Sequence, residues 1–360
     1  MNVLKRLRGS FKKAEIDALL VSEPANSTYL SGIREVDGYL LAQTEHLTFF
    51  TDGRFTTELK RTVSSRVRIE EIKGDFLSTL RAYVRKEQIR RLGFEAKKVS
   101  VATFKKLQAA FLSCPGVVLL ETEDIIERLR QVKSPAEVAL IRSAVSLTQE
   151  CLGYAQDLLA SHEFSEHSLA IEIDRFFRLK AEGSSFSCIV AFDEYSAEPH
   201  HKPAKDKKIW KKVALIDLGV QYRNYCSDLT RVFLKDRITP VRRSFELKKI
   251  YDIVKKAKDL AIKKIAVGTN FSEIDRTARA YIESKGYGRY FSHSLGHGVG
   301  IQVHELPSVS SKSDGIVQEN MVFTIEPAIY LPGRFGVRLE DMVWVRNNGA
   351  EVINPDNAAK

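Results

Sequence analysis

The chain is poor in cysteine and has no long apolar run. Its four cysteines, Cys114, Cys151, Cys188 and Cys226, stand far apart with no C-x-x-C pair. That argues against a disulfide framework or a zinc finger and fits a reducing compartment. No uncharged apolar stretch approaches the ~18 residues of a membrane span, so no membrane partner is expected. Lys5, Arg6 and Arg8 interrupt any secretory apolar core near the N-terminus, and no small-residue cleavage site follows. A cytoplasmic protein is the expectation. Low-complexity segments and long linkers are also missing. His304-Glu305 is no zincin helix, because Ser308 stands where H-E-x-x-H needs its second histidine. The glycines match neither a phosphate-binding loop nor a dinucleotide fingerprint.

What is present is an ordinary globular composition. Of 360 residues, 44% are hydrophobic and 28% charged, enough for two domains of common size. The net charge is +10, and the first 130 residues hold 23 Lys and Arg against 17 Asp and Glu. Acidic residues are interspersed throughout, and no zinc-finger spacing, RNP-type aromatic motif or basic heptad accompanies the charge. The excess therefore reads as a solvated face, with no nucleic-acid partner.

Residues 1–128 alternate strand-like and helical stretches, an α/β pattern: strands at Asp17–Ser22, Leu47–Thr51 and Val117–Leu120, and a helix at Thr103–Leu112. A second domain, 129–360, opens on a strong helix start. Ser134 reads as N-cap, Pro135 as first helical residue and Glu137 as the closing acid of a capping box. Two helices (one with Val138, Ile141, Val145, Leu152, Ala155 and Leu159 at helical spacing, then about Ser165–Glu182) precede strand-like Phe186–Ala191 and the strands Val213–Asp217 and Tyr225–Leu234. Two more helices (about Pro240–Ala266, then Phe271–Ser284) precede a hairpin over Val322–Val345. A helix-helix-hairpin unit used twice predicts an α+β domain with an internal duplication that residue identities do not show.

Two pairs of acids belong to those hairpins. Asp217 and Asp228 lie 11 apart with their midpoint at Tyr222-Arg223. A turn there would set the two carboxylates opposite each other, which needs something positive between them. Glu326 and Glu340 lie 14 apart around Gly333 of Leu331-Pro-Gly-Arg334, a natural turn. Acids inside apolar strands are costly unless paired or bound to metal, and four on two hairpins is a donor set for divalent cations. Between the pairs, His293, His297 and His304 fall within twelve residues, and glycines flank His297. One histidine alone reads as an ordinary core or surface residue, whereas three with Gly-His-Gly read as a site.

The ordered set Asp217, Asp228, His297, Glu326, Glu340 resembles the five-ligand dinuclear centre of the pita-bread metallopeptidases, the M24 family of methionine aminopeptidase, Xaa-Pro aminopeptidase and prolidase. Leu215-Ile-Asp-Leu-Gly219, Cys226-Ser-Asp-Leu-Thr-Arg231, Gly296-His-Gly-Val-Gly300, Phe323-Thr-Ile-Glu-Pro327 and Gly336-Val-Arg-Leu-Glu-Asp341 are similar to its proline-specific branch. Asp17-Ala-Leu-Leu-Val21, Asn26–Gly32 and Thr51-Asp-Gly-Arg54 resemble that branch's creatinase-type N-terminal domain. The resemblance implies a creatinase-like α/β domain followed by a pita-bread domain with pseudo-duplicated halves and a curved antiparallel sheet.

It also implies the site. Asp217 would hold one of two divalent metals, Asp228 and Glu340 would bridge both, and His297 and Glu326 would complete the second. Glu326 would serve as base to the attacking water, His200 would assist at the scissile peptide and His304 would steady the tetrahedral intermediate. His293 and Arg338 are placed on the substrate side, Arg338 also partnering the ligand carboxylates. An oxygen-rich donor set favours Mn²⁺, with Co²⁺ or Zn²⁺ as alternatives. The implied substrates are peptides beginning Xaa-Pro, and the implied assembly is a homodimer. An Xaa-Pro aminopeptidase is expected, with an Xaa-Pro dipeptidase as the alternative. A non-catalytic binding module is the third reading, but it would be expected to have lost ligands.

Several positions depart from the branch's pattern. Ala328 replaces a usual glycine and would be strained if that backbone needs positive φ. Asn320 replaces another, where asparagine tolerates the change. Lys211-Lys212 stands where Gly-Asp commonly opens the strand to Asp217, and Asp193-Glu194-Tyr195 is expected to alter the substrate mouth. Ser308 stands where some prolidases carry an arginine that grips a dipeptide's carboxylate, which tilts the expectation toward longer peptides.

Overall fold

The computed structural model describes residues 3–161, 164–205, 209–235 and 245–353. The chain divides into two compact units, Met1–Arg130 and Gln131–Lys360.

The first unit is built on a six-stranded sheet in the order Val67–Glu71, Leu47–Thr51, Tyr39–Gln43, Ala18–Val21, Arg91–Glu95, Val118–Thr122. Pairing is antiparallel on both sides of Tyr39–Gln43 and parallel elsewhere. Leu19 and Val21 enter one core while Ala18 and Leu20 enter another. Both faces of the sheet are covered, so the Asp17–Ser22 run is apolar throughout instead of alternating. Asp52, Asp75 and Ser100 cap three of the covering helices by accepting the backbone N–H of Arg54, Ser78 and Thr103.

In the second unit the helix Pro135–Ser161 begins at the expected capping box. Glu137 Oε2 accepts the Ser134 N–H at 2.7 Å, and Ser134 Oγ accepts the Glu137 N–H at 3.3 Å. That helix and Glu166–Lys180 form one pair. Phe245–Lys264 and Phe271–Ser284 form the other. The expected start of the third helix at Pro240 lies outside the described residues. The strand Val213–Leu218 sits between the pairs. Val213 and Leu215 pack with Ile250, Val254 and Ile274 of the second pair, whereas Ala214, Ile216 and Leu218 pack with Ile141, Val145 and Ile173 of the first. Alternation puts Asp217 on the same face as Val213 and Leu215.

The strands form antiparallel ladders. Leu229–Leu234, Val213–Leu218 and Ile189–Phe192 make one, and Glu305–Val309, Gly296–Gly298, Val322–Ile325, Asp341–Arg346 and Gly349–Val352 another. Ala328–Leu331 pairs with Phe335–Arg338 in a third, turning through Gly333 at φ 69°. The register Ala328↔Arg338 and the register Ile325↔Asp341 are one continuous alignment, so Glu326 stands opposite Glu340 in the gap between two ladders.

The first hairpin departs from expectation. Tyr222 pairs with Tyr225 and Leu218 with Leu229, so the turn is Arg223-Asn224, one residue later than Tyr222-Arg223. Both turn residues have positive φ, 48° and 75°, the conformation of a two-residue hairpin loop that asparagine accepts readily. Asp217 consequently faces Thr230, and Asp228 is its diagonal neighbour on the same face.

Two further expectations are corrected. Ala328 lies in a strand with no positive φ, so it carries no strain there. Asp193 is buried with its carboxylate accepting the N–H groups of Lys211, Lys212 and Val213, at 2.9, 2.7 and 3.2 Å. It caps the start of the Asp217 strand and does not line the cavity over the acids. Asn320 does take positive φ, 68°, and its side-chain oxygen accepts the Trp344 indole N–H at 3.2 Å. No helix among the described residues is long and apolar enough to cross a membrane.

Candidate metal centre

The two hairpins bring their acids to one place. Asp217, Asp228 and Glu340 offer carboxylate oxygens within 4.8 Å of one another, and a ring nitrogen of His297 lies within the same distance of carboxylate oxygens of Glu326 and Glu340, themselves that close. His297 Nε2 lies 3.2 Å from Glu326 Oε1 and 3.6 Å from Asp228 Oδ2. Glu340 is joined to the first hairpin through its backbone, whose N–H donates to the Thr230 carbonyl at 3.2 Å. All five proposed ligands therefore converge.

His297 reaches this cluster because the chain around it has no side chains to spare. A Cβ on Gly296 would lie 2.0 Å from the Thr324 carbonyl oxygen, and one on Gly298 would lie 2.2 Å from that of Leu306. Only glycine permits that approach. The His297 N–H donates to Thr324 Oγ1 at 3.1 Å, and that hydroxyl donates to Glu326 Oε1 at 3.1 Å. His297 Nδ1 donates to the Gly298 carbonyl at 3.2 Å, which turns Nε2 toward the carboxylates.

Burial lifts Asp228 and Glu340 well above the usual carboxylate range, and the neighbouring acids lift both further. Glu326 is different. Burial pushes it up too, but the hydrogen bond and positive charge of His297 hold it below its ordinary value. Burial depresses His304, helped by the charge of His297.

Asp217 Oδ1, Asp228 Oδ1 and Glu340 Oε1 are buried and have no hydrogen-bond partner among the described residues. A buried oxygen without a donor loses its hydration for nothing in return. Three of them, from three converging carboxylates, fit divalent cations, whose charge would also favour the ionised forms that burial opposes in Asp228 and Glu340. The same distances admit His304 beside Asp228 and His297.

Arg338 lies against the cluster, buried, with its donors taken up inside the protein. Nη2 donates to Asp217 Oδ2 at 2.5 Å, Nη1 to the Tyr330 hydroxyl at 2.7 Å and the Pro199 carbonyl at 3.1 Å, and Nε to Thr230 Oγ1 at 3.1 Å. Thr230 Oγ1 passes the chain on, donating to Glu340 Oε2 at 2.7 Å. The Tyr330 hydroxyl, already an acceptor from Arg338, is 3.0 Å from His293 Nε2 and donates to it. His293 Nδ1 then donates to the Ser294 carbonyl at 2.8 Å. Burial pushes the Tyr330 phenol up to about 12, so it keeps its proton for this bond.

Thr230, Thr324 and Tyr330 were not singled out from the sequence. The two threonines stand two residues along a strand from Asp228 and Glu326, so period-2 alternation was the available signal. Tyr330 had none, because its partners lie on other segments.

A cavity of about 340 Å³ opens over the cluster. His200, His293, His297 and His304 line it with Asp217, Asp228, Glu326 and Glu340, and Phe186, Ile189 and Ser308 complete much of the wall. The His304 ring stands edge-on to that of His297, 4.3 Å between centroids. Every residue expected at the site thus borders the cavity.

Residues 4–132 match the creatinase/prolidase N-terminal domain, and residues 139–347 match metallopeptidase family M24. The chain is 33% identical to an uncharacterized peptidase of Bacillus subtilis, over 97% of each chain. Among solved structures it is similar to an Xaa-Pro dipeptidase from Bacillus anthracis, at 30% identity over 98% of this chain and 97% of that one, with a TM-score of 0.88. It is also similar to an X-Pro aminopeptidase from Thermotoga maritima, at 32% identity over 96% and 97%, with a TM-score of 0.84.

Proposed function

The chain belongs to metallopeptidase family M24, and on that premise we propose that it is a two-metal Xaa-Pro aminopeptidase, removing the first residue of peptides with proline second. The observation that carries this reading is the triplet of partnerless carboxylate oxygens on Asp217, Asp228 and Glu340 at the floor of a histidine-lined cavity.

Asp217, Asp228, His297, Glu326 and Glu340 would hold the two metals. When bound, such a pair polarises a carbonyl and supplies a water-derived nucleophile at neutral pH. Thr324 Oγ1 donates to Glu326 Oε1, and the Glu326 carboxylate would take the attacking water's proton. The nitrogen of an Xaa-Pro peptide bond carries no hydrogen, so it must gain a proton to leave, and Glu326 would return one. His304, kept neutral, would donate to the developing oxyanion. His200 would hold the peptide at the cavity rim. Arg338 would act through Asp217 and through Tyr330, which aims His293.

Preference for longer peptides over dipeptides rests on the cavity wall. Among the described residues lining it, the one arginine or lysine is Arg338, whose guanidinium is committed to Asp217, Tyr330, Thr230 and Pro199. Ser308 offers no charge to a dipeptide's terminal carboxylate. The likeness to an Xaa-Pro dipeptidase favours the second reading. Parallel assays on an Xaa-Pro-Yaa tripeptide and an Xaa-Pro dipeptide decide between them. Faster cleavage of the tripeptide supports the aminopeptidase, the reverse establishes the dipeptidase, and cleavage of neither by the metal-loaded protein overturns both.

A further inference from the structure

Among the described residues no hydrogen bond reaches the His304 imidazole, and its near neighbour is the edge-on ring of His297. Its place over the cavity depends on the backbone of residues 300–305. That segment closes around one carboxylate. Glu305 Oε2 accepts the Gln302 N–H at 3.3 Å, and the Gly300 N–H donates to the Gln302 carbonyl at 3.0 Å. A Cβ on Gly300 would stand 2.3 Å from Glu305 Oε1, so the loop fits tightly against the acid.

The acid is itself tied down from a distant stretch of sequence. Lys133 Nζ lies 3.0 Å from Glu305 Oε1, with the two side chains only 1% and 3% exposed. Lys133 immediately precedes the capping box, and its own N–H donates to the Asn320 carbonyl at 2.9 Å. The lysine is therefore anchored at its backbone as well as at its tip. A buried ion pair is a poor source of net stability, because desolvating both charges offsets their attraction, but it fixes geometry.

We propose that the Lys133–Glu305 pair is a positioning device for His304: it clamps the 300–305 segment so that the imidazole stays beside His297 over the cavity. The pair acts on turnover and leaves metal binding alone. This inference rests on the role proposed above for His304.

The test compares Glu305→Gln and Lys133→Arg with the parent enzyme, each alone and with His304→Ala. It follows kcat, KM and bound metal on an Xaa-Pro-Yaa peptide, and the His304 ring resonances by NMR in the metal-free full-length protein. Glu305→Gln should lower kcat about 10–100-fold with KM moved by less than about twofold and metal content unchanged, as expected for a misplaced donor. Lys133→Arg, which keeps the charge, should retain most of the turnover. In the His304→Ala background Glu305→Gln should cost nothing further, and in the otherwise intact protein it should shift and broaden the His304 resonances.

Equal losses in both backgrounds, or metal lost together with kcat, would overturn the inference. Should His304→Ala keep full turnover, the role of His304 fails, and the NMR comparison still decides the clamp, since unmoved resonances overturn it. If Glu305→Gln does not fold, the paired change Lys133→Met with Glu305→Leu leaves no lone buried charge and serves in the same comparison.

Discussion

Thr230, and not Asp228, is the residue opposite Asp217 across the first hairpin. A hydroxyl in that position does what a second carboxylate could not. It accepts from Arg338 Nε and donates to Glu340 Oε2, joining the guanidinium paired with Asp217 to a proposed ligand on the other hairpin. Like charges directly opposite destabilise a sheet, and the diagonal placement of Asp228 avoids that while keeping both acids on one face.

Thr230→Val keeps the shape and strand preference of the residue and removes the hydroxyl. Arg338 Nε and Glu340 Oε2 are each left without this partner in a buried site, so the variant should lose about 1–3 kcal/mol of stability. Urea unfolding of metal-free protein measures it, and a change within error would show that the bridge is not needed.

Asp228→Ala should abolish stabilisation by metal. A ligand bound only to the folded state stabilises by about 4 kcal/mol at a thousandfold excess over its dissociation constant, and that gain should vanish. The metal-free variant should nevertheless match or exceed the metal-free parent in stability, because burial and neighbouring acids oppose ionisation of Asp228. Thermal unfolding with and without Mn²⁺ reads both effects.

His304→Ala should keep its metal and lose turnover by about 10²–10³-fold, the usual consequence of removing one oxyanion donor. Metal analysis of the purified variant accompanies the kinetics. Loss of metal would make His304 a ligand, an arrangement its distances to Asp228 and His297 allow.

The second pair of acids was readable because its turn announces itself: Pro332-Gly333 fixes where the chain reverses, and the register of Glu326 with Glu340 follows from simple counting. The first pair was displaced because Tyr222-Arg223 and Arg223-Asn224 differ by a single step, and Asn224 was the cue for the later one. His297 was legible through its flanking glycines. Asp193 was misread because its partners are backbone N–H groups 18 to 20 residues away, and no side-chain pattern reports them. The Lys133–Glu305 pair spans 172 residues and leaves no local trace.

His201 provides a pH test away from the proposed metal ligands. Its Nδ1 and Nε2 lie 2.9 and 2.8 Å from Glu198 and Glu166, and its ring stacks on Tyr195. Burial alone would depress the imidazole, but the two carboxylates outweigh it and raise the folded value. The resulting stability is present in full below the unfolded value of about 6.5 and is lost as pH rises through the higher folded value. The parent should therefore exceed His201→Gln in stability by more at pH 6 than at pH 9. An advantage independent of pH would contradict a charged His201.

Whether two metals drive the hydrolysis is decided by titrating chelator-stripped protein with Mn²⁺ by calorimetry while assaying Xaa-Pro-Yaa hydrolysis at each point. Two ions should bind per chain, the stripped protein should not cleave, and activity should appear as the sites fill. A stripped protein that cleaves at the full rate, or one that binds no divalent ion at all, would contradict the two-metal reading.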